Sequence, residues 1–161
     1  MRYFRSLFLL SLFPIFSGCQ KDDICPAGSE TTPRLVIEFY DTEDPTTLKA
    51  VEDLVIIAEG MEDPYLGPAI TNSVEIPLRT TEGTTTYSFI SNSGTAEENE
   101  DVVTFSYNPA PEYLNRACGY KINFNNLVVS IHPDEDNWLQ SAILLEQNIE
   151  NEAAAHLTFT H

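Results

Sequence analysis

Short runs in which apolar and polar residues alternate are the feature of this sequence that most restricts its fold. Residues 34–40, 74–78 and 102–107 each carry an apolar residue at every second position, and residues 85–89 continue the same spacing with Thr85, Tyr87 and Phe89. Side chains two positions apart lie on the same face of a strand, so each run is typical of a half-buried β-strand. About seven or eight such strands, separated by turn-forming residues, predict an all-β or mainly β fold: a single antiparallel β-sandwich, Ig-like or jelly-roll-like.

The order of these runs gives two expectations about strand pairing. Residues 74–78 and 85–89, separated by a short turn, predict a hairpin. Pro77 places the first of these strands at a sheet edge, because proline has no N–H to donate to a neighbouring strand. Residues 118–124 and 127–131 predict either two further strands or one long bent strand.

Two stretches combine helical and strand signals. Residues 49–59 fit a helical stripe, but the β-branched residues at 55–57 favour a strand, which is our prediction. Residues 138–155 are rich in Ala and Glu and follow acidic residues that could cap a helix, whereas apolar clusters at 143–145 and 157–159 could form strands. The expected sandwich therefore leaves room for one short helix.

The N-terminus has the composition of a bacterial lipoprotein signal. Arg2 and Arg5 precede an apolar run at 7–16 that is too short to span a bilayer and ends at small residues directly before Cys19. This ending resembles the lipobox, whose cysteine receives fatty acyl chains such as palmitate, so Cys19 is the predicted lipidation site. The predicted organisation is a signal peptide at 1–18, a polar tether at 19–33 and a β-sandwich domain at 34–161.

The remaining cysteines agree with a location outside the cytosol. With Cys19 acylated, Cys25 and Cys118 form an even pair in an exported chain, and we predict that they form a disulfide. In the chain-entropy model, closing a loop of 93 residues stabilises the fold by roughly 4 to 5 kcal/mol. Two free thiols or a metal pair are the alternatives, but neither cysteine has a CxxC spacing or a nearby histidine.

The composition is strongly acidic. The chain has 25 acidic and 8 basic residues and a net charge of −17, and loss of two arginines with the signal peptide leaves −19. Such a surface repels phosphate, which argues against nucleic acid as a partner and against polybasic attachment to anionic lipid. Acidic loops suit divalent cations, and Asp134 and Asp136 are candidate calcium ligands. The loop matches no EF-hand, and a solvated acidic loop is the simpler interpretation.

Signs of catalysis are few. The sequence contains no GxSxG, no HExxH and no glycine-rich phosphate loop, and its three histidines are scattered singly. Paired carboxylates could serve a glycosidase-like reaction, yet chance pairs are expected among 25 acidic residues. We therefore predict that the protein is not an enzyme.

Aromatic residues beside loop positions are the candidates for ligand binding. Tyr65 lies between two prolines in residues 63–68, Trp138 follows the acidic loop, and Tyr113 follows a proline-rich stretch. Exposed rings stack on sugars or anchor protein partners, whereas buried rings fill the core. Tyr65 and Trp138 are our candidate ligand-binding residues, with core packing as the simpler role for Trp138.

The mature chain contains the motifs CQKDDIC at 19–25, TPRL at 32–35, CG at 118–119, NIENE at 148–152 and AHL at 155–157. Together they resemble an uncharacterised lipoprotein family of Bacteroidota, which implies an envelope lipoprotein without an assigned activity. In that lineage, acidic residues after the lipidated cysteine resemble a signal for display on the outer face of the outer membrane. Residues 21–23, Lys-Asp-Asp, fit that signal, and a solvated tether is the alternative.

The sequence therefore predicts a protein of the cell envelope, lipid-anchored in the outer membrane, with surface exposure favoured over a periplasmic location. Its expected role is a non-catalytic binding or structural module with a protein or glycan ligand. A surface glycan-binding accessory lipoprotein is the first alternative, and a secreted hydrolase is the least favoured one.

Overall fold

The structure is a computed structural model that describes residues 24–161, so the predicted signal peptide and Cys19 lie outside the described residues. This part of the chain forms strands and no helix, and accordingly contains no helix that is long and apolar enough to cross a membrane. The strands are β1 (Leu35–Tyr40), β2 (Val51–Ala58), β3 (Leu66–Thr71), β4 (Ser73–Ile76), β5 (Thr84–Ser91), β6 (Asn99–Asn115), β7 (Gly119–Ile131), β8 (Ser141–Leu144) and β9 (Leu157–Thr160).

These strands form two sheets that enclose one apolar core. A four-stranded sheet has the order β4-β1-β9-β8, and a five-stranded sheet has the order β3-β2-β5-β6-β7. Aromatic rings meet between the sheets: the rings of Phe89 in β5 and Phe159 in β9 lie 5.8 Å apart, edge to face. Both residues are fully buried. The predicted all-β, two-layer sandwich is confirmed.

One strand pair departs from the antiparallel expectation. β1 and β9 run parallel, with Ile37 opposite Leu157 and Tyr40 opposite Thr160, whereas the other paired strands are antiparallel. Two strands must run antiparallel only when a tight turn connects them. Because β1 and β9 come from opposite ends of the domain, they can run parallel.

The stretch with mixed signals at 138–155 contains β8 and no helix. β8 pairs antiparallel with β9, from Ser141 opposite Thr160 to Leu144 opposite Leu157. Ile149 bridges to Phe124 of β7 and is fully buried. These tertiary contacts override the helical propensity of the Ala- and Glu-rich segment.

The predicted hairpin of residues 74–78 and 85–89 is wrong. β4 belongs to the four-stranded sheet and β5 to the five-stranded sheet, so residues 77–83 cross from one layer to the other. An alternating pattern shows which face of a strand is buried but not which strand lies beside it. The edge position that Pro77 predicts is confirmed, because β4 is the outer strand of its sheet.

β6 and β7 form a long hairpin that extends beyond the rest of their sheet. β5 begins at Thr84 opposite Ser106, so the second half of β6 has β7 as its only strand neighbour. Pro109 and Pro111 lie in this half and are tolerated there because their missing N–H groups leave no neighbouring strand unpaired. Of the two alternatives for residues 118–131, the structure has one strand, β7. Asn126 of β7 has a left-handed backbone conformation, φ 57°, and lies opposite the register shift in β6.

The segment at 63–68, which carries the candidate ligand-binding residue Tyr65, ends inside a strand. β3 begins at Leu66 and pairs antiparallel with β2, with register shifts on either side of Leu54. Gly67 and Pro68 weaken a strand signal, which is why β3 was not predicted. β3 is the outer strand of its sheet, where Pro68 is tolerated.

Candidate functional site

A disulfide joins the N-terminal segment to the end of the β6–β7 hairpin. Cys25 and Cys118 form the bond that the sequence predicts, with their Cα atoms 4.8 Å apart and a sequence separation of 93. Asn115 fixes the turn that presents Cys118, because its side-chain oxygen accepts hydrogen bonds from the backbone N–H groups of Ala117 and Cys118 at 2.9 and 2.8 Å. Gly119 follows at φ 73°, in the left-handed conformation that glycine adopts without strain.

We call residues 113–120, from Tyr113 to Tyr120, the hairpin tip. Tyr113 and Tyr120 are directly opposite each other in the β6–β7 pair, and their rings meet edge to face at 5.2 Å. Their side chains nevertheless remain on the surface, with 57% of Tyr113 and 66% of Tyr120 exposed. The tip therefore presents a pair of aromatic rings to the surroundings next to the disulfide.

The last residues of the predicted tether pack on β7 rather than extending into solvent. The hydroxyl of Thr32 accepts a hydrogen bond from the backbone N–H of Ile122 at 3.0 Å, and Pro33 is buried. Glu30 forms an ion pair with Lys121. The ordered domain thus includes contacts made before residue 34.

A hollow of about 480 Å³ opens beside Lys121. The Lys121 side chain is only 7% exposed and forms ion pairs with Glu30 and, at 3.4 Å, with Glu112. The hydrogen bond to Glu30 and the charge of Glu112 raise the pKa of Lys121. Asn123 and Lys121 lower the pKa of Glu112, so this carboxyl group stays ionised. The hollow is lined by Glu30, Thr31, Pro33, Glu112, Lys121, Glu150, Asn151 and Glu152.

Tyr65 stands between two hollows near the outer strands of both sheets. Its side chain is 46% exposed, and its hydroxyl donates a hydrogen bond to the backbone oxygen of Glu75 at 3.0 Å. A hollow of about 620 Å³ includes Arg34, Leu66 and Glu75, and a more apolar hollow of about 440 Å³ lies on the other side. The apolar hollow is lined by Ala58, Met61, Asp63, Pro64, Tyr65, Pro77 and Tyr87.

Trp138 packs against the core rather than presenting a free ring. Its ring stacks on Phe39 with centroids 6.3 Å apart, and its indole N–H donates a hydrogen bond to the backbone oxygen of Phe89 at 3.1 Å. His161 meets the same indole edge to face at 5.6 Å. The simpler of the two roles expected for Trp138, core packing, is therefore the one these contacts describe.

Asp134 and Asp136, the candidate calcium ligands, lie in an exposed turn. The backbone N–H of Asp136 donates to the carboxylate of Asp134 at 3.0 Å, and the N–H of Asp134 donates to the side-chain oxygen of Asn137 at 3.0 Å. These hydrogen bonds shape the turn itself. Within residues 24–161, no group of three or more His, Cys, Asp or Glu side chains is arranged to hold a metal ion.

A buried carboxylate, which the sequence analysis missed, holds this turn against the sheet. Asp101 of β6 is fully buried and accepts hydrogen bonds from the backbone N–H of Leu139 at 2.7 Å and the side-chain amide of Asn137 at 3.0 Å. Burial raises the pKa of Asp101, and the two hydrogen bonds oppose that rise. A signal was present, since Asp101 shares the inward register of Val103 and Phe105. A carboxylate in such a register requires a partner.

His156 is a structural residue between the two ends of the domain. Its Nδ1 accepts a hydrogen bond from the backbone N–H of Val36 at 3.0 Å, and its Nε2 lies 2.9 Å from the backbone oxygen of Asn151. An accepting Nδ1 requires the neutral imidazole, and burial lowers the pKa of His156. Both ring nitrogens are thus occupied by backbone groups, which removes this histidine as a general base.

Comparison with known proteins identifies one family. Its model, described as a family of unknown function (DUF6452), matches residues 53–161, which is 109 of the 161 residues. The match begins inside β2, so β1 lies before it although β1 is an inner strand of the four-stranded sheet. No curated protein and no solved structure matches the chain. The chain belongs to the DUF6452 family, a family of unknown function.

Proposed function

We propose that this protein is a lipid-anchored β-sandwich of the cell envelope that acts as a non-catalytic binding or structural module. The mature chain begins at the acylated Cys19, and the described domain is held close to the membrane of a bacterium of the lineage that its motifs resemble. Display on the outer face of the outer membrane is the location that we propose, on the acidic residues that follow Cys19.

The observation that carries this proposal is the disulfide between Cys25 and Cys118. Disulfides persist in oxidising compartments, so the bond supports export across the cytoplasmic membrane. It also lies only six residues after Cys19, the cysteine of the signal pattern. An oxidised pair directly after a predicted lipidation site supports both export and anchoring.

The charges around the Lys121 hollow support a non-catalytic role. A general acid needs a carboxyl group with a raised pKa. Glu112 has a lowered pKa and binds Lys121, so it lacks the required protonation. Asp101 has a raised pKa, but it is fully buried and both of its oxygens accept hydrogen bonds.

Protease treatment of intact and lysed cells tests the location. If the domain is displayed outside, protease removes it from intact cells, and a periplasmic control protein survives the same treatment. Survival in intact cells together with loss in lysate would contradict surface display and place the domain in the periplasm. A Cys19→Ala variant tests the anchor, because it should move from the membrane fraction to the soluble fraction. Retention of Cys19→Ala in the membrane would refute lipid anchoring.

A glycan-binding accessory role is the second proposal, and the position of Tyr65 favours it. Tyr65 is half-exposed and forms a wall of two hollows, which is a suitable place for a ring that stacks on a sugar. Affinity electrophoresis in gels that contain surface polysaccharides tests this role. The wild type should be retarded, Tyr65→Ala should run freely, and Tyr120→Ala, which removes an exposed tyrosine outside both hollows, should behave as the wild type. Equal mobility of the three proteins in each polysaccharide would contradict glycan binding at Tyr65.

A further inference from the structure

We propose that the hairpin tip rests on the surface of the lipid bilayer that holds the anchor, so that the domain is oriented rather than freely tethered. Its contact residues are Tyr113 and Tyr120, with Arg116 and Ile24 beside them. This inference rests on the lipid anchor at Cys19 that is proposed above.

The covalent path from the anchor to the tip is short. Cys25 is six positions after Cys19, and an extended chain of that length spans at most about 20 Å. The disulfide brings the Cα atoms of Cys25 and Cys118 to 4.8 Å. The Cα atom of Cys118 therefore lies within about 25 Å of the Cα atom of the acylated cysteine. The tip is therefore the part of the domain that the anchor holds closest to the bilayer along the covalent path.

The exposed side chains at this end suit the interface between headgroups and acyl chains. Tyr113 and Tyr120 present apolar rings with polar hydroxyl groups, the combination found in aromatic belts at membrane surfaces. Ile24, one residue before the disulfide, is 73% exposed. The two rings are in contact with each other, and Ile24 is joined to them through the disulfide, so all three side chains lie at the end of the domain that the anchor holds.

The charges near the tip permit approach to a membrane despite the acidic composition. Arg116 lies in the turn of the tip and, in the part of the chain that the structure describes, forms no ion pair, so its guanidinium group can bind a lipid phosphate. Two acidic groups beside the tip, Glu30 and Glu112, are both paired with Lys121. With Arg116 these four groups carry no net charge, at one end of a negatively charged molecule.

Anchoring makes a small contact sufficient. A free protein loses translational and rotational freedom when it binds a membrane, whereas the acyl chains have already paid this cost for the anchored domain. Contact of the tip is then an intramolecular step at a high effective concentration. Two tyrosines, one isoleucine and one arginine are enough to bias the orientation.

Quenching of tryptophan by brominated lipid tests the proposal on the full acylated protein. Trp138 is the only tryptophan of the wild type and lies near the start of β6, where Asn99 donates a hydrogen bond to the backbone oxygen of Asp136. Tyr113 is 14 residues further along β6, up to about 45 Å of extended strand. We expect brominated phosphatidylcholine in the vesicles to leave the emission of the wild type unchanged. It should quench up to about half of the emission of the Tyr120→Trp variant, which has a second indole at the interface.

Leu48→Trp is the matched control. Leu48 is exposed and pairs with Tyr40 in an isolated β-bridge. The neighbouring Phe39 stacks on Trp138, so Leu48 lies at the same end of the sandwich as Trp138, opposite to the tip. Its indole should remain unquenched in the same vesicles. Equal quenching of Leu48→Trp and Tyr120→Trp would overturn the proposal, because it would mean that the domain has no preferred orientation.

The mass of the intact protein shows whether Cys19 carries acyl chains. It therefore distinguishes a tip that does not contact the bilayer from an anchor that does not exist. If Cys19 carries acyl chains and Tyr120→Trp is unquenched, the tip does not contact the bilayer and the anchor still stands. A blue shift of that unquenched emission that grows with protein concentration would assign the tip to contact with a second copy instead. An unmodified Cys19 in the membrane fraction would refute the anchor and, with it, the orientation.

Discussion

Replacing Asp101 by alanine should destabilise the domain, although the residue is far from the disulfide and the hairpin tip. Its carboxylate accepts the backbone N–H of Leu139 and the side-chain amide of Asn137. Alanine leaves the N–H of the buried Leu139 without a partner. The half-buried amide of Asn137 keeps its second acceptor, the backbone oxygen of His132.

The expected loss in the free energy of unfolding follows from these two contacts. A buried donor left unpaired costs about 1 to 3 kcal/mol, and hydrogen bonds to a charged acceptor contribute about 1.5 to 3 kcal/mol each. Relief of the burial of a charge offsets part of this loss, so we expect Asp101→Ala to cost about 2 to 4 kcal/mol. Asp101→Asn keeps the shape and one acceptor but turns a second donor toward Asn137, and should cost about 1 kcal/mol.

Urea unfolding of the three proteins, followed by Trp138 emission and by circular dichroism, measures these differences. Glu100→Ala is the matched control, because Glu100 is exposed beside Asp101 in β6, and it should change the free energy of unfolding by less than about 0.5 kcal/mol. If Asp101→Ala proves as stable as Glu100→Ala, the Asp101 carboxylate does not stabilise the fold through these hydrogen bonds.

The pH dependence of unfolding provides an independent check on Asp101. A raised pKa means that the folded protein binds the proton more readily than the unfolded chain, whose value is 3.8. This group alone therefore adds stability as the pH falls from its raised pKa toward 3.8. The difference in stability between wild type and Asp101→Asn should grow over that interval, and a constant difference would contradict a raised pKa.

Three other regions give separate predictions. The double variant Cys25→Ser, Cys118→Ser opens a loop of 93 residues and should lower the free energy of unfolding in urea by roughly 4 to 5 kcal/mol. Thiol labelling of the denatured, unreduced wild type should find both cysteines blocked, and two labelled thiols would disprove the bond. Because the pKa of His156 is lowered, its contribution to stability should fall as the pH drops below 6.5, the pKa in the unfolded chain, and His156→Gln should lack this decline. If wild type and variant lose stability identically with pH, the imidazole is not held neutral. Because the turn of Asp134 and Asp136 is shaped by its own hydrogen bonds, calcium should leave the melting temperature of chelator-treated protein unchanged, and a rise on titration would establish a site that binds the native state.

The positions of the strands could be predicted from the sequence because burial of one strand face requires an alternating pattern. Residues 34–40 became β1, residues 49–59 contain β2, and residues 102–107 lie in β6. In residues 102–107 the apolar residues at every second position are buried and the residues between them are partly exposed. Residues 49–59 were predicted as a strand from the β-branched residues at 55–57, which is likewise a local property of the chain. Fold class followed from the number of such strands.

Strand pairing could not be predicted in the same way, because it depends on residues that are distant in sequence. β4 and β5 are adjacent in the chain yet belong to different sheets, and β1 pairs with β9 from the far end of the domain. Pro109 and Pro111 lack the N–H groups that a central strand donates. They lie inside β6 because the adjacent edge of the hairpin has no strand, and that condition is set by where β5 begins.

The candidate sites show the same division between local and distant information. The even pair of cysteines was sufficient to predict the disulfide. By contrast, the role of Trp138 depends on Phe39 and the backbone of Phe89, both distant in sequence, and single-sequence patterns do not report such contacts. The pairing of Tyr113 with Tyr120 required the register of β6 and β7.

The parallel pairing of β1 with β9 also determines when the protein can fold. β1 lies between β4 and β9, so one side of the first strand stays open until residues 157–160 have been synthesised. A ribosome-bound chain therefore lacks a strand of the four-stranded sheet until residues 157–160 are made, and long-range pairing of this kind forms slowly. Until β9 is in place, the four-stranded sheet cannot completely cover the apolar face that the five-stranded sheet presents to it.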